Sequence, residues 1–289
     1  MSMQPYPVQS NTYINDTESG AEMARLHDQD LLITRAMGGL FPERDDLDGI
    51  SQVLDIGCGP GRWVQEVAFA HQDIKVVGID ISNAMIEYAR AHARVQGLEN
   101  ATFRVMDATR PLDFPDASFD LVNARTIAGF MLREDWPKLI DECLRILRPG
   151  GIIRLTETDL WGTTNSLAFE TLSGWCMLAL KKSEHGFSPD GRTFGITPVL
   201  GRLLRDAGFQ DIQHRSYTND FSSGTEAHYG MYKNFLVFFK LVQPFLAKME
   251  VATLEEAEQL YQQVMLDILA EDFCAIMYLL TVWGHKPLS

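Results

Sequence analysis

Short apolar runs alternate with amphipathic stretches through the middle of the chain. "QVLDI" (52–56), "IKVVGID" (74–80), "ATFRVMD" (101–107), "FDLVNAR" (119–125) and "GGIIRLTET" (150–158) are brief and largely apolar. Each reads as a strand covered on both faces. Between them, 61–71, 82–97 and 135–147 carry apolar residues at three- and four-residue spacing, the signature of helices packed by one face. Ser82 is placed to cap the second of these helices and Gly97 to close it. Strand–helix alternation predicts an α/β fold, a parallel sheet with helices on both faces and right-handed crossovers.

The rhythm breaks after 158. Residues 163–186 read as an inserted helix, and "TPVLGRLLRDAGF" (197–209) as a regular helix with Thr197 as N-cap and Gly208 past its end. A strand is expected at 211–218. The segment 225–271 reads as mostly helical, with Thr253 and Glu256 forming a capping box. "AIMYLLTVWGHKP" (275–287) closes the chain as a strand. At the other end, residues 1 to about 17 read as a loose arm. A helix capped by Thr17 or Ser19 follows and stops at Gly38 and Gly39. The domain reading is therefore an arm and helix over 1–45 that cover the active site. A main domain over 46–289 follows, with helical inserts at about 160–190 and 225–271.

The length of 289 residues suits one large α/β domain with additions. A net charge of −14 argues against a nucleic-acid partner. The four cysteines (58, 143, 176 and 274) form no C-x-x-C pair, as expected of reduced thiols in a cytoplasm. The polar N-terminus has no apolar core for a signal peptide. The apolar run 275–283 is too short to span a bilayer. The seven histidines show no ligand spacing, so no metal site is expected.

Chemistry enters at "VLDIGCGPG" (53–61), where a buried strand runs into three glycines. A glycine-rich turn between strand and helix lets a ligand lie against the backbone and leaves N–H groups pointing at it. The second strand ends in Asp80, 19 residues after Gly61, where an acid can accept from both ribose hydroxyls. These features define an adenosine-containing cofactor and leave two choices. The G-x-G-x-G spacing and Asp55 disfavour a dinucleotide: a carboxylate there repels a pyrophosphate and suits an ammonium group. At the third strand's end, Asp107 can accept from an adenine amino group.

With these residues, and with "FPDASFDLVNA" and "LRPGG" introducing the fourth and fifth strands, the chain resembles the class I S-adenosylmethionine-dependent methyltransferases. Within them it is most similar to the small-molecule branch that includes quinone-biosynthesis enzymes. The resemblance covers about 50–160. It implies a Rossmann-like seven-stranded mixed sheet in the order 3-2-1-4-5-7-6, with the last strand antiparallel and the helical inserts acting as a lid. It implies S-adenosyl-L-methionine as cofactor. Asp55, Gly57 and Gly59 match the methionine-side loop, with Cys58 as its small filler; Asp80 and Ile81 match the ribose and adenine positions. Asp107 and Ala108 match the adenine edge, and Asn123 and Ala124 the end of strand four. Arg125 follows, facing the cofactor carboxylate or the acceptor, or standing as a salt-bridged arginine.

Orientation of an acceptor in line with the sulfonium methyl is the protein's main task, and a base is not obligatory. Candidates for a base or orienting group are His185, His228, Tyr229, Tyr232, Glu157 and Asp159. The inserts are rich in Phe, Trp, Tyr, Leu and Met, which implies a small, largely apolar or aromatic acceptor. Oxygen, nitrogen and carbon acceptors all stay open. The same apolar inserts could pair two copies of the chain. Two other functions stay open as well: a cofactor-binding regulator without catalysis, and a nicotinamide-dependent oxidoreductase.

Overall fold

The computed structural model describes residues 13–15 and 18–288. The first element among the described residues is helix α1 (Gly20–Met37), capped by the Ser19 hydroxyl and ended by Gly38 in the left-handed region. Thr17, the other expected cap, lies outside the described residues. The loose-arm expectation needs correcting where the chain is described: Ile14 and Asn15 are buried, and Asn15 donates to Glu22 of α1.

Next come β1 (Gln52–Ile56), α2 (Arg62–Ala70), β2 (Lys75–Asp80), α3 (Asn83–Val95), β3 (Ala101–Val105) and β4 (Phe119–Arg125). Helix α4 (Asp135–Ile146) leads directly into β5 (Leu147–Glu157). Ser82 caps α3 by accepting from the Met85 N–H at 3.2 Å. The rest comprises β6 (Thr163–Thr164), α5 (Leu167–Lys182), α6 (Thr197–Asp206), β7 (Gln210–Asp220), α7 (His228–Leu241), α8 (Gln243–Lys248), α9 (Leu254–Ile268) and β8 (Ala275–His285). The capping box at Thr253 and Glu256 is formed. Thr197 is not the N-cap of α6; it is the first helical residue, and the Asp159 carboxylate accepts from Ile196 N–H and the Thr197 hydroxyl.

The sheet runs β3-β2-β1-β4-β5-β8, with β1 to β5 parallel and β8 antiparallel to β5. β7 lies along the other flank of β8. The expected order is therefore present, with the chain's last long strand between the fifth and the preceding one. Among the described residues the sheet has eight strands instead of seven. Thr163 and Thr164 pair with Ile276 and Ala275, and β5 pairs with β8 from Leu280 onward, so the pair continues the line of β5 after a break.

Successive strand residues face opposite cores, as the pleat requires. Val53 packs with Trp63, Val64, Ile86 and Phe103 under α2 and α3. Leu54 belongs to the larger core on the other face, which continues into the inserts through Phe169, Phe235 and Phe239. The Phe235 and Phe239 rings stack with centroids 5.2 Å apart, and Phe169 meets Phe235 edge-on at 4.9 Å. The aromatic run in α7 is thus largely core.

Candidate active site

β1, β2 and β4 all end at the same edge of the sheet, and the residues after each tip frame one cavity of about 350 Å³. Its floor is the turn after β1. Gly59 and Gly61 there have φ of +51° and +81°, values that favour glycine. The two differ in surroundings. A Cβ at Gly59 would meet nothing within 4 Å, so the ligand side of the turn is open. A Cβ at Gly61 would lie 2.5 Å from the Phe103 ring and 2.7 Å from Ala89.

Asp80 ties the turn to the next strand. One carboxylate oxygen accepts from the Gly59 N–H and the other from the Ser82 N–H, both at 2.9 Å. Burial holds its acidity below normal, against the pull of those donors. Asp55, 5% exposed, accepts from the Asn123 amide at 2.7 Å, and burial pushes its pKa up to about 7. Asn123 is fixed in turn: its amide oxygen accepts from Arg154 at 2.7 Å, and Arg154 pairs with Glu43 at 2.5 Å. A buried polar chain thus runs from Glu43, after α1, to Asp55. Asp107 accepts from the N–H and hydroxyl of Thr109.

Of the residues expected at a cofactor site, Asp55, Gly57, Cys58, Gly59, Asp80, Ile81, Asp107, Ala108 and Arg125 all line this cavity. Asn123 and Ala124 do not: both are buried within the sheet, and Asn123 orients Asp55 from behind. Cys58 is half-buried in the cavity wall, and desolvation pushes its thiol pKa well above the usual value, as suits a filler and not a nucleophile. Arg125 pairs with Asp30, donates to the Thr34 hydroxyl at 3.0 Å and lies over the Trp63 ring, so it is spent on holding α1.

The expected base candidates are mostly misplaced. His185 is buried against Ser183, and the His228 ring is 3.0 Å from the Phe221 carbonyl oxygen. Tyr229 is 66% exposed, and Tyr232 stacks on it. None of the four lines either cavity. Asp159 is occupied as the cap of α6. Glu157 alone reaches a cavity.

That second chamber, about 80 Å³, adjoins the first: Tyr13, Gln29, Ile33 and Thr126 line both. Its walls are mostly apolar, with Trp161, Phe194, Phe235, Phe238, Met277 and Leu279 among them. A buried cluster lies at one side, where Arg25 pairs with Glu22 and donates to Asn234 at 2.9 Å. The residues of α1 here, Gln29, Asp30 and Ile33, carry no motif in the sequence, because no strand tip announces them. The one usable signal was the placement of a helix ahead of the first strand.

Several observations test whether a sulfonium nucleoside fits. The open face at Gly59, the three strand-tip carboxylates and the buried Asp30 Oδ2, which has no hydrogen-bond partner among the described residues, all match a ligand with a hydroxylated sugar and a cationic amino acid end.

Fold and cavity define a doubly wound α/β protein with an open cavity at the carboxyl edge of its sheet. Residues 53–151 match the methyltransferase domain family. The chain is 33% identical to methyltransferase GfsG of Streptomyces halstedii over 50% of its own length and 51% of that protein. It is 30% identical to the demethylmenaquinone methyltransferase of Geobacillus stearothermophilus, over 58% of this chain and 74% of the relative. The fold matches Haemonchus contortus phosphoethanolamine N-methyltransferase 2, solved with phosphomonomethylethanolamine and S-adenosylhomocysteine. That match has a TM-score of 0.58 at 18% identity and covers 98% of this chain and 62% of that one. The match thus spans about half of the first of these relatives. The chain belongs to the class I S-adenosylmethionine-dependent methyltransferases.

Proposed function

We propose that the protein transfers a methyl group from S-adenosylmethionine to a small, largely apolar or aromatic acceptor by in-line displacement. The observation that carries this reading is the pairing of two adjoining chambers, one edged by three strand-tip carboxylates and the other walled by aromatic and aliphatic side chains. Asp80 would hold the ribose, Asp107 and Ala108 the adenine edge, and Asp55 with Asp30 the amino end. The cofactor supplies an electrophilic methyl group when bound. The chain's residues then position the acceptor and exclude water, a contribution of up to roughly 7–11 kcal/mol when orientation is good. The segment 1–45, through its described residues, and the helical inserts are read as a cover over the two chambers.

Supplying methyl-labelled S-adenosylmethionine with a panel of phenols, amines and carboxylates tests this reading. Label appearing on a panel member supports it. Tight binding of S-adenosylhomocysteine with no label transferred to any member would favour a regulator that binds cofactor without catalysis.

A further inference from the structure

The apolar chamber has one acid aimed into it. Glu157 is the last residue of β5 and is 2% exposed. Its Oε1 accepts from the N–H groups of Ile127 at 2.7 Å and Ala128 at 3.3 Å. Its Oε2 has no hydrogen-bond partner among the described residues, and the side chain lines the second chamber. A carboxylate held by one oxygen and offered by the other is oriented for use.

The turn that holds it is strained. Thr126 sits in the left-handed region at φ +54°, which a β-branched residue rarely adopts. That conformation swings the next two N–H groups toward Glu157, and Thr126 itself lines both chambers. Glu157 is therefore anchored beside the border between them.

We propose that Glu157 receives the proton of the methyl acceptor, and that the acceptor is a neutral aryl or enol hydroxyl. This rests on the methyl-transfer reading above and narrows its substrate. In the step, the acceptor oxygen bonds to the methyl carbon as the carbon–sulfur bond breaks with its electron pair left on sulfur. The hydroxyl proton passes to Glu157. A sulfonium cation and a carboxylate are present before, and a thioether and a carboxylic acid after, so a buried charge pair is lost as the ether forms. An ammonium nitrogen has no lone pair to attack the methyl carbon, so a cationic amine could pair with Glu157 but could not react until it had lost a proton. Burial pushes the pKa of Glu157 up to about 8, so the ionised form that the step requires grows as pH rises towards 8 and is a stronger base than an ordinary carboxylate.

Phenol, toluene and benzylammonium share a ring and differ in the group presented to Glu157. Their binding to the full-length protein saturated with S-adenosylhomocysteine is measured by equilibrium dialysis. Wild type is expected to bind phenol at least about tenfold tighter than toluene, the scale of a satisfied buried hydrogen bond. In Glu157→Gln that preference should fall below about threefold while affinity for S-adenosylhomocysteine stays within about twofold. Glu157→Met, a second variant should the first not fold, should bind toluene at least as well as phenol. Equal binding of phenol and toluene by wild type, a preference for benzylammonium, or an unchanged preference in Glu157→Gln would overturn the proposal. Failure of wild type to bind S-adenosylhomocysteine would instead bring down the methyl-donor reading, and this proposal with it.

Discussion

Burial sets the chemistry of two carboxylates that line these chambers, Asp55 and Glu157. Asp55, pushed up to about 7, is partly protonated at neutral pH. A cationic amino end needs the ionised form, so affinity for S-adenosylhomocysteine is predicted to rise as pH climbs through 7. Calorimetric titrations across that range should show the rise in wild type and its loss in Asp55→Asn. Glu157 gives a stability prediction. Its folded pKa of about 8 exceeds the ordinary 4.5, so the folded state binds more protons than the unfolded state between those values. Stability therefore falls as pH rises through that window. Glu157→Gln does not titrate, and its melting temperature should gain on wild type between pH 4.5 and 8, by up to several kcal/mol in stability. The glycines separate fold from binding. Gly61→Ala meets the Phe103 ring and should cost about 2–4 kcal/mol in denaturant unfolding. Gly59→Ala projects into the open cavity and should cost only about 1–2 kcal/mol, from its φ, while weakening cofactor affinity.

Helix α1 is the element that joins both chambers, and polar contacts hold it in place. Arg125 on β4 reaches Asp30 and Thr34, and Arg25 on α1 reaches Asn234 on α7. Replacing Arg125 by alanine is predicted to raise amide hydrogen exchange across 20–37 while leaving the parallel strands protected; unchanged exchange in α1 would contradict this. The elements most legible in the sequence were those with strong local signals. Strands β1, β2 and β4 announce themselves by apolar runs, and α3 and α9 by the caps at Ser82 and Thr253. β6 was not legible, because two threonines have no periodicity and pair only because β8 extends past the end of β5. The cofactor-side residues were readable because they follow strand tips within one short segment. The second chamber draws on α1, β5, α7 and β8, which lie far apart in the chain, and only packing brings Glu157, Phe238 and Met277 together. His185 and His228 drew attention as histidines near aromatic inserts, yet packing placed both away from the chambers.

At the scale of the whole molecule, the sheet supplies the acids, the glycine turn supplies an open floor, and the added helices supply the apolar half. A ligand that binds only this folded arrangement should stabilise it by about 2.7 kcal/mol at a hundredfold excess over its dissociation constant. The central claim is that the carboxylate joining Gly59 to Ser82 also grips the cofactor's sugar. Titration calorimetry with S-adenosylhomocysteine, on wild type and on Asp80→Ala checked for folding, measures it directly. Saturable binding by wild type that weakens by at least about tenfold in the variant is the predicted result. Equal affinity in the two proteins, or no binding by wild type, would contradict it.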